Sequence, residues 1–137
     1  VKKRIIFGTS ALSADYHESV FVHAQKVRAK MTSEIDAVLE EYDVIVGPTS
    51  ATVAHAFGHN VEDAEQLYMN DILTAPANLA GLPAMSVPCG FVEEMPVGLQ
   101  IIGRPFGEET MYRVAHAYEQ TTDFHTKRPA VEGGAEE

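Results

Sequence analysis

The residues that decide the fold lie in MSVPCGFVEEMPVGLQII, residues 85–102, where two apolar runs flank an acidic pair. Residues 85–87 form the first run and residues 97–102 the second, and β-branched and other apolar side chains in such short runs favour strands. The connection between the runs is polar and contains Glu93 and Glu94. Because only a short loop separates the two runs, we predict that they pair as neighbouring strands of one sheet.

A long amphipathic helix is predicted upstream of this hairpin, over residues 16–42. Its start is marked by Asp15 and Glu18, which have the capping-box spacing found at helix N-termini. Apolar side chains then recur every three to four residues, which is the periodicity of one helix face. The residues on that face are Val20, Ala24, Val27, Met31, Ile35, Val38 and Tyr42.

Shorter elements surround these two, and helices alternate with strands along the chain. We predict a helix over 1–12 bent at Gly8, a buried strand over 43–47, a helix over 63–75 that Pro76 bends or ends, a small-residue turn over 79–83, and a last helix that opens at 107–109. This alternation predicts an α/β layered sheet. Three or four strands do not readily form a sheet that is covered on both faces, so we expect residues 1–129 to complete a larger sheet. The acidic tail, residues 130–137, is expected to fray.

Composition excludes several classes of protein. The net charge is −10, with ten Lys and Arg against twenty Asp and Glu, so the chain lacks the basic surface that binds a phosphate backbone. No apolar run approaches the ~20 residues of a membrane-spanning helix, and no secretory leader is evident. Cys89 is the single cysteine, which rules out an internal disulfide and fits a reducing compartment. The chain starts at Val1 within a helical pattern, which suggests a piece of a longer polypeptide.

The sequence contains no self-contained catalytic or metal-binding motif. A phosphate-binding glycine loop, Cys-x-x-Cys, His-Glu-x-x-His and Gly-x-Ser-x-Gly are all absent. His55 and His59 have the spacing of two ligands on a helix, but Gly58 lies between them and no third ligand follows, so an exposed loop is the favoured interpretation. Cys89 lies at the end of a strand and is interpreted as a packed, inert thiol. We therefore assign no catalytic, cofactor-binding or metal-ligating residue.

Two charged residues, Arg4 and Asp71, are the candidate binding residues. Arg4 precedes the apolar run 5–7, and its guanidinium has the fork geometry that can bind a carboxylate through two hydrogen bonds. Asp71 shares a polar stripe with Thr74 and Asn78 in an otherwise apolar stretch, where its carboxylate could face a polar cavity and bind an ammonium group. From the residues alone, a solvated position stays open for Arg4 and is favoured for Asp71.

Several motifs resemble the C-terminal part of the amidase signature family. Residues 75–90, APANLAGLPAMSVPCG, and residues 95–106, MPVGLQIIGRPF, carry motifs of the whole superfamily. Residues 3–13, KRIIFGTSALS, residues 24–28, AQKVR, and residues 69–72, MNDI, are similar to one branch of it, the A subunits of the glutamyl-tRNA(Gln)/aspartyl-tRNA(Asn) amidotransferases.

The resemblance covers residues 1–121 and implies the fold class: the C-terminal portion of the amidase-signature α/β fold, a mixed β-sheet covered by helices and incomplete on its own. It implies a Ser–cis-Ser–Lys triad that hydrolyses glutamine through an acyl-enzyme. The released ammonia would pass to a B subunit, which uses ATP and Mg²⁺ to amidate mischarged Glu-tRNA(Gln) or Asp-tRNA(Asn). The implied partners are the N-terminal part of the same subunit, the B and C subunits and glutamine, all in the cytoplasm, with neither direct tRNA binding nor a membrane contact by this segment.

Residue roles carry over from this branch of the family for substrate binding alone. Arg4 aligns with the family's arginine for the glutamine α-carboxylate, and Asp71 aligns with its aspartate for the α-ammonium. The triad belongs to an upstream Gly/Ser-rich region that these 137 residues do not contain, so the isolated segment is predicted to be inactive. The chain has residues 50–52, Ser-Ala-Thr, where the family commonly places a second proline, and no contact is assigned to that loop.

Two alternatives remain open alongside this interpretation. The chain could be the C-terminal segment of another amidase-signature hydrolase that acts on simple amides, or a packing module without chemistry of its own. The presence of both Arg4 and Asp71 discriminates between the enzymes, because a hydrolase of neutral amides has no use for groups that bind a zwitterion.

Overall fold

The computed structural model describes residues 2–13, 17–55 and 69–129. It contains helices and one small antiparallel sheet. In chain order the elements are α1 (Lys2–Ala11), a π-helical segment (His17–Val22) that continues into α2 (His23–Glu41), β1 (Val44–Pro48), α3 (Ala75–Ala80), β2 (Ala84–Val92), β3 (Met95–Gly103), α4 (Glu108–Thr121) and a 3-10 turn (Phe124–Thr126). Residues 69–71 are also helical and lead through a turn into α3.

The sheet has the strand order β1-β3-β2, so the last of its strands in sequence lies at the centre. Both pairs are antiparallel, with Val44 opposite Gly103 in one ladder and Met85 opposite Ile101 in the other. The predicted hairpin is confirmed as β2 and β3, which are longer than predicted at nine residues each. Glu93 and Glu94 form its two-residue turn with φ of 49° and 65°, the left-handed conformation that a type I′ hairpin turn requires.

The two faces of the sheet pack against different elements. Met111 and Ala115 of α4 cover one face and form the buried core with Val87 and Ile101. Successive side chains of a strand point to opposite faces, so Gln100 of β3 faces the other way, towards residues 73–82. This second face carries the polar groups that position the candidate site.

Most of the predicted elements are confirmed, and two local predictions are wrong. The helix predicted over 16–42 is present as the π-helical segment and α2, and the strand and last helix are present as β1 and α4. Gly8 does not interrupt α1, since a single glycine costs a helix only about 1 kcal/mol. In its described part, the helix predicted over 63–75 ends at residue 71 and a turn follows over 72–74. Pro76 lies in the first turn of α3 instead of ending a helix, because the first turn of a helix does not need the N–H that proline lacks.

Some predictions fall on residues outside the described ranges. These are the capping residue Asp15, the start of the helix predicted over 63–75, and the tail 130–137. The fold class, α/β with the sheet covered by helices, is confirmed in the described ranges. None of the helices described there combines the length and the apolar character needed to cross a membrane.

Candidate functional site

Arg4 and Asp71, the two residues singled out in the sequence, meet in the structure. Arg4 on α1 donates a hydrogen bond from Nη2 to Oδ2 of Asp71 over 2.9 Å, although 67 positions separate the two residues. Their side chains are 53% and 57% exposed, respectively. An ion pair this exposed contributes about 0–1 kcal/mol, so a ligand that offers both charges can replace it at little cost.

The pair lies at the edge of a groove of about 760 Å³ between α1 and the helical residues 69–71. Phe7, Met69 and Ile72 supply apolar walls, and Lys3 adds a second cation beside Arg4. Opposite charges next to an apolar channel suit a ligand with a zwitterionic head and an aliphatic stem. The prediction that Arg4 and Asp71 bind the two charges of one amino acid stays a prediction.

Asp71 is held by the turn that joins residues 69–71 to α3. The backbone N–H and the side-chain Oγ1 of Thr74 both donate to the carbonyl oxygen of Asp71, each over 3.2 Å. Asn78 Nδ2 donates to the carbonyl oxygen of Thr74 over 2.9 Å. The three polar residues of this stripe therefore have different roles. The side chains of Thr74 and Asn78 form hydrogen bonds to backbone carbonyl oxygens, whereas Asp71 lines the groove.

Gln100 on β3 is a part of this arrangement that the sequence analysis missed. Its side-chain Nε2 donates to the carbonyl oxygen of Leu73 over 3.0 Å, and the residue is only 6% exposed. A sequence signal was present, since Gln100 is the single strongly polar side chain within the apolar run 97–102. A polar residue in the middle of a buried strand needs a partner, and that requirement could have drawn attention to it.

A second cavity, of about 820 Å³, is lined in part by Asn70, the neighbour of Asp71 in the sequence. Its wall includes loop 49–55, to which the sequence analysis assigned no contact, and His55 Nε2 lies 3.2 Å from Asn70 Nδ2. Thr49 Oγ1 and Ser86 Oγ are hydrogen-bonded over 2.6 Å at its floor. Within the described ranges no three His, Cys, Asp or Glu side chains cluster as metal ligands, and His59 lies outside those ranges.

Comparison with known proteins gives concordant results for sequence and structure. Residues 1–112 match the family model described as Amidase. The A subunit of the glutamyl-tRNA(Gln) amidotransferase of Geobacillus thermodenitrificans is 55% identical over 131 residues, which make up 96% of this chain and 27% of that protein. The protein of the same name from Enterococcus faecalis is 53% identical over 134 residues, 98% of this chain and 27% of its own length.

Among solved structures, the crystal structure of the corresponding glutamyl-tRNA(Gln) amidotransferase protein from Thermotoga maritima, also an A subunit, superimposes with a TM-score of 0.79 at 44% identity. The match covers 98% of this chain and 30% of that one. The chain thus spans between a quarter and a third of the length of these relatives. The matching motifs, the family model and the superposition together establish that the chain belongs to the amidase family and has the fold of its C-terminal portion.

Proposed function

We propose that this chain forms the substrate-holding C-terminal segment of an A subunit that hydrolyses glutamine to supply ammonia for a tRNA-dependent amidotransferase. The names of relatives that are 53% to 55% identical support this assignment. In the proposed complex, a B subunit uses ATP and Mg²⁺ to transfer the ammonia to mischarged Glu-tRNA(Gln) or Asp-tRNA(Asn), and a C subunit joins them in the cytoplasm.

The observation that carries the proposal is the meeting of Arg4 and Asp71 at one groove. Glutamine has an α-carboxylate and an α-ammonium on the same carbon, and their charges are the complement of this pair. On binding, the guanidinium exchanges Asp71 for the α-carboxylate, and the Asp71 carboxylate exchanges Arg4 for the α-ammonium. Both new contacts are charge-assisted hydrogen bonds, the stronger class in proteins. The apolar walls of the groove then lie beside the aliphatic stem of glutamine.

Arg4 and Asp71 act on the end of glutamine that does not react. Neither charge of the α-carbon changes when the side-chain amide is hydrolysed, so these contacts orient the substrate. Binding energy at this remote end holds the amide against the nucleophile and therefore supports kcat as well as KM. The nucleophile and its base come from the N-terminal part of the subunit, and this segment needs no cofactor for its role.

Kinetics of the intact subunit, assembled with its partners, test the proposal. Arg4→Ala and Asp71→Asn should each lower kcat/KM for glutamine by about 2 kcal/mol of transition-state stabilisation, roughly thirtyfold, because each removes one charged hydrogen bond. Transamidation driven by added ammonia should remain near wild type, since it bypasses glutamine. Lys2→Ala is the matched control, because it removes a cation from the same helix but from a residue that does not line the groove.

Each possible result of this experiment supports one interpretation. Wild-type kcat/KM for glutamine in both variants refutes the proposal. Parallel loss of the ammonia-driven reaction assigns the two residues to folding, which contradicts a role confined to substrate binding. An intact enzyme that hydrolyses uncharged amides better than glutamine, with no effect of Asp71→Asn, supports the alternative of a general amide hydrolase.

A further inference from the structure

Gln100 is the one polar residue among the buried residues of the described ranges, 2–13, 17–55 and 69–129. It lies in the middle of β3, the central strand, where Gly47 of β1 and Ser86 of β2 are its register partners. Burying an amide is unfavourable unless it forms hydrogen bonds. An apolar residue would suit a central strand better, so the presence of an amide at this position needs an explanation in the local structure.

The hydrogen-bond partner of Gln100 supplies that reason. The Leu73 carbonyl oxygen, 3.0 Å from Gln100 Nε2, belongs to the turn that follows Asp71. Two hydrogen bonds from Thr74 to the Asp71 carbonyl oxygen close this turn on itself. Asp71 and Leu73 are thus parts of one hydrogen-bonded unit, and Gln100 ties that unit to the most buried strand of the sheet.

We propose that Gln100 is a positioning residue for the substrate: it fixes the turn of residues 71–74 on the sheet and so sets where the Asp71 carboxylate lies relative to Arg4. This inference rests on the proposed function, because it assumes that Asp71 binds the α-ammonium of glutamine. Without the side-chain donor, the Leu73 carbonyl loses its anchor on β3, and the turn can shift together with Asp71. A shift of even about 1 Å weakens a charged hydrogen bond and misplaces the bound amide.

The test is a double-mutant cycle in the intact, assembled subunit. Gln100→Met keeps the length and volume of the side chain but removes the donor. We expect it to raise KM for glutamine about fivefold, the effect of one net hydrogen bond, with a smaller change in kcat and with ammonia-driven transamidation unchanged. In the Asp71→Asn background the same substitution should change KM less than about twofold, because two residues that act through one contact are not additive.

Two further variants complete the design. Ser86→Ala is the control, because Ser86 lies opposite Gln100 on the same sheet face. This substitution removes a hydrogen bond to Thr49 and not the one to Leu73, so it should leave KM for glutamine near wild type. Gln100→Leu removes the same donor with an apolar side chain of similar volume, so it should reproduce the KM effect of Gln100→Met. This second variant provides the same test if Gln100→Met folds poorly.

The outcomes separate this inference from the proposed function. Equal effects of Gln100→Met in both backgrounds, with a normal loss from Asp71→Asn alone, overturn the role of Gln100 and leave the proposed function standing. Wild-type glutamine kinetics in Asp71→Asn overturn the proposed function itself. Parallel loss of glutamine-driven and ammonia-driven activity in both Gln100 variants assigns this residue to folding alone and overturns the inference.

Discussion

Gly98 lies at a tight contact in the sheet, and replacing it with alanine should destabilise the protein. A Cβ at this position would collide with Ser86 Oγ and would lie 2.7 Å from Thr49 Oγ1 and 3.2 Å from Thr49 Cβ. Rotating the Ser86 side chain relieves the first collision, but it breaks the 2.6 Å hydrogen bond to Thr49. The Thr49 contacts are harder to relieve, because the Thr49 backbone N–H donates to the Gly98 carbonyl oxygen over 3.0 Å.

The magnitude follows from these contacts. The broken hydrogen bond costs about 1 kcal/mol. The displaced backbone at Thr49 adds about 1 kcal/mol, at the low end of the range for overpacked cores. We therefore expect Gly98→Ala to lower the free energy of unfolding by about 2 kcal/mol, measured by denaturant unfolding of the intact subunit.

Gly47→Ala provides the matched control, because Gly47 lies in β1 of the same sheet, where no atom of the described residues other than its chain neighbours comes within 4 Å of the added Cβ. Alanine in place of a strand glycine restricts the unfolded chain, so this variant should be neutral or stabilised by up to about 1 kcal/mol. Adding Ser86→Ala to Gly98→Ala should restore little of the lost stability, because the hydrogen bond between residues 86 and 49 stays broken and the Thr49 contacts persist. Unfolding free energies of Gly98→Ala and Gly47→Ala within about 0.5 kcal/mol of each other would refute the steric explanation.

Two further outcomes are expected for the 137-residue chain studied by itself. It should release no ammonia from glutamine, because the Gly/Ser-rich region to which the resemblance assigns the triad is not in its sequence, and release above a matched blank would contradict the assignment of the triad to the N-terminal part. It should also self-associate, since β1 and β2 are unpaired edges in the described sheet and Ile5, Ile6 and Phe7 are 62%, 69% and 72% exposed. Sedimentation of a stable monomer with a cooperative thermal transition would contradict this second expectation.

Local patterns in the sequence were sufficient to locate the regular elements, and they failed where context decides. The periodicity from Val20 to Tyr42 and the two apolar runs of the hairpin are signals within one element, so they were interpretable without a structure. Pro76 was misplaced because proline is compatible with both the end of one helix and the first turn of the next. Which of these applies depends on the turn at residues 72–74, and a hydrogen bond from a distant residue, Gln100, holds that turn.

The candidate site was less accessible from the sequence for a related reason. Arg4 and Asp71 were assigned through resemblance to a family, and no local pattern indicates a contact between residues 67 positions apart. Spacing alone favoured a solvated Asp71, and its carboxylate is indeed about half exposed. Gln100 was missed because its amide is useful only through the hydrogen bond to the Leu73 carbonyl oxygen. The fold brings these two groups together, and the sequence neighbours of neither residue indicate this contact.

The strand order also fixes a sequence of events during synthesis on the ribosome. β1 has a single partner in the described sheet, β3, whose last residue, Gly103, is translated 55 residues after Pro48, where β1 ends. At translation speeds of about 5 to 20 residues per second, β1 therefore has no partner strand from this sheet for several seconds after it is made. The β2–β3 hairpin can close locally once it is made, and it then offers β3 as the template on which β1 docks. A nascent chain stalled before Gly103 would carry β1 as an unpaired apolar segment, which is the kind of surface that chaperones bind.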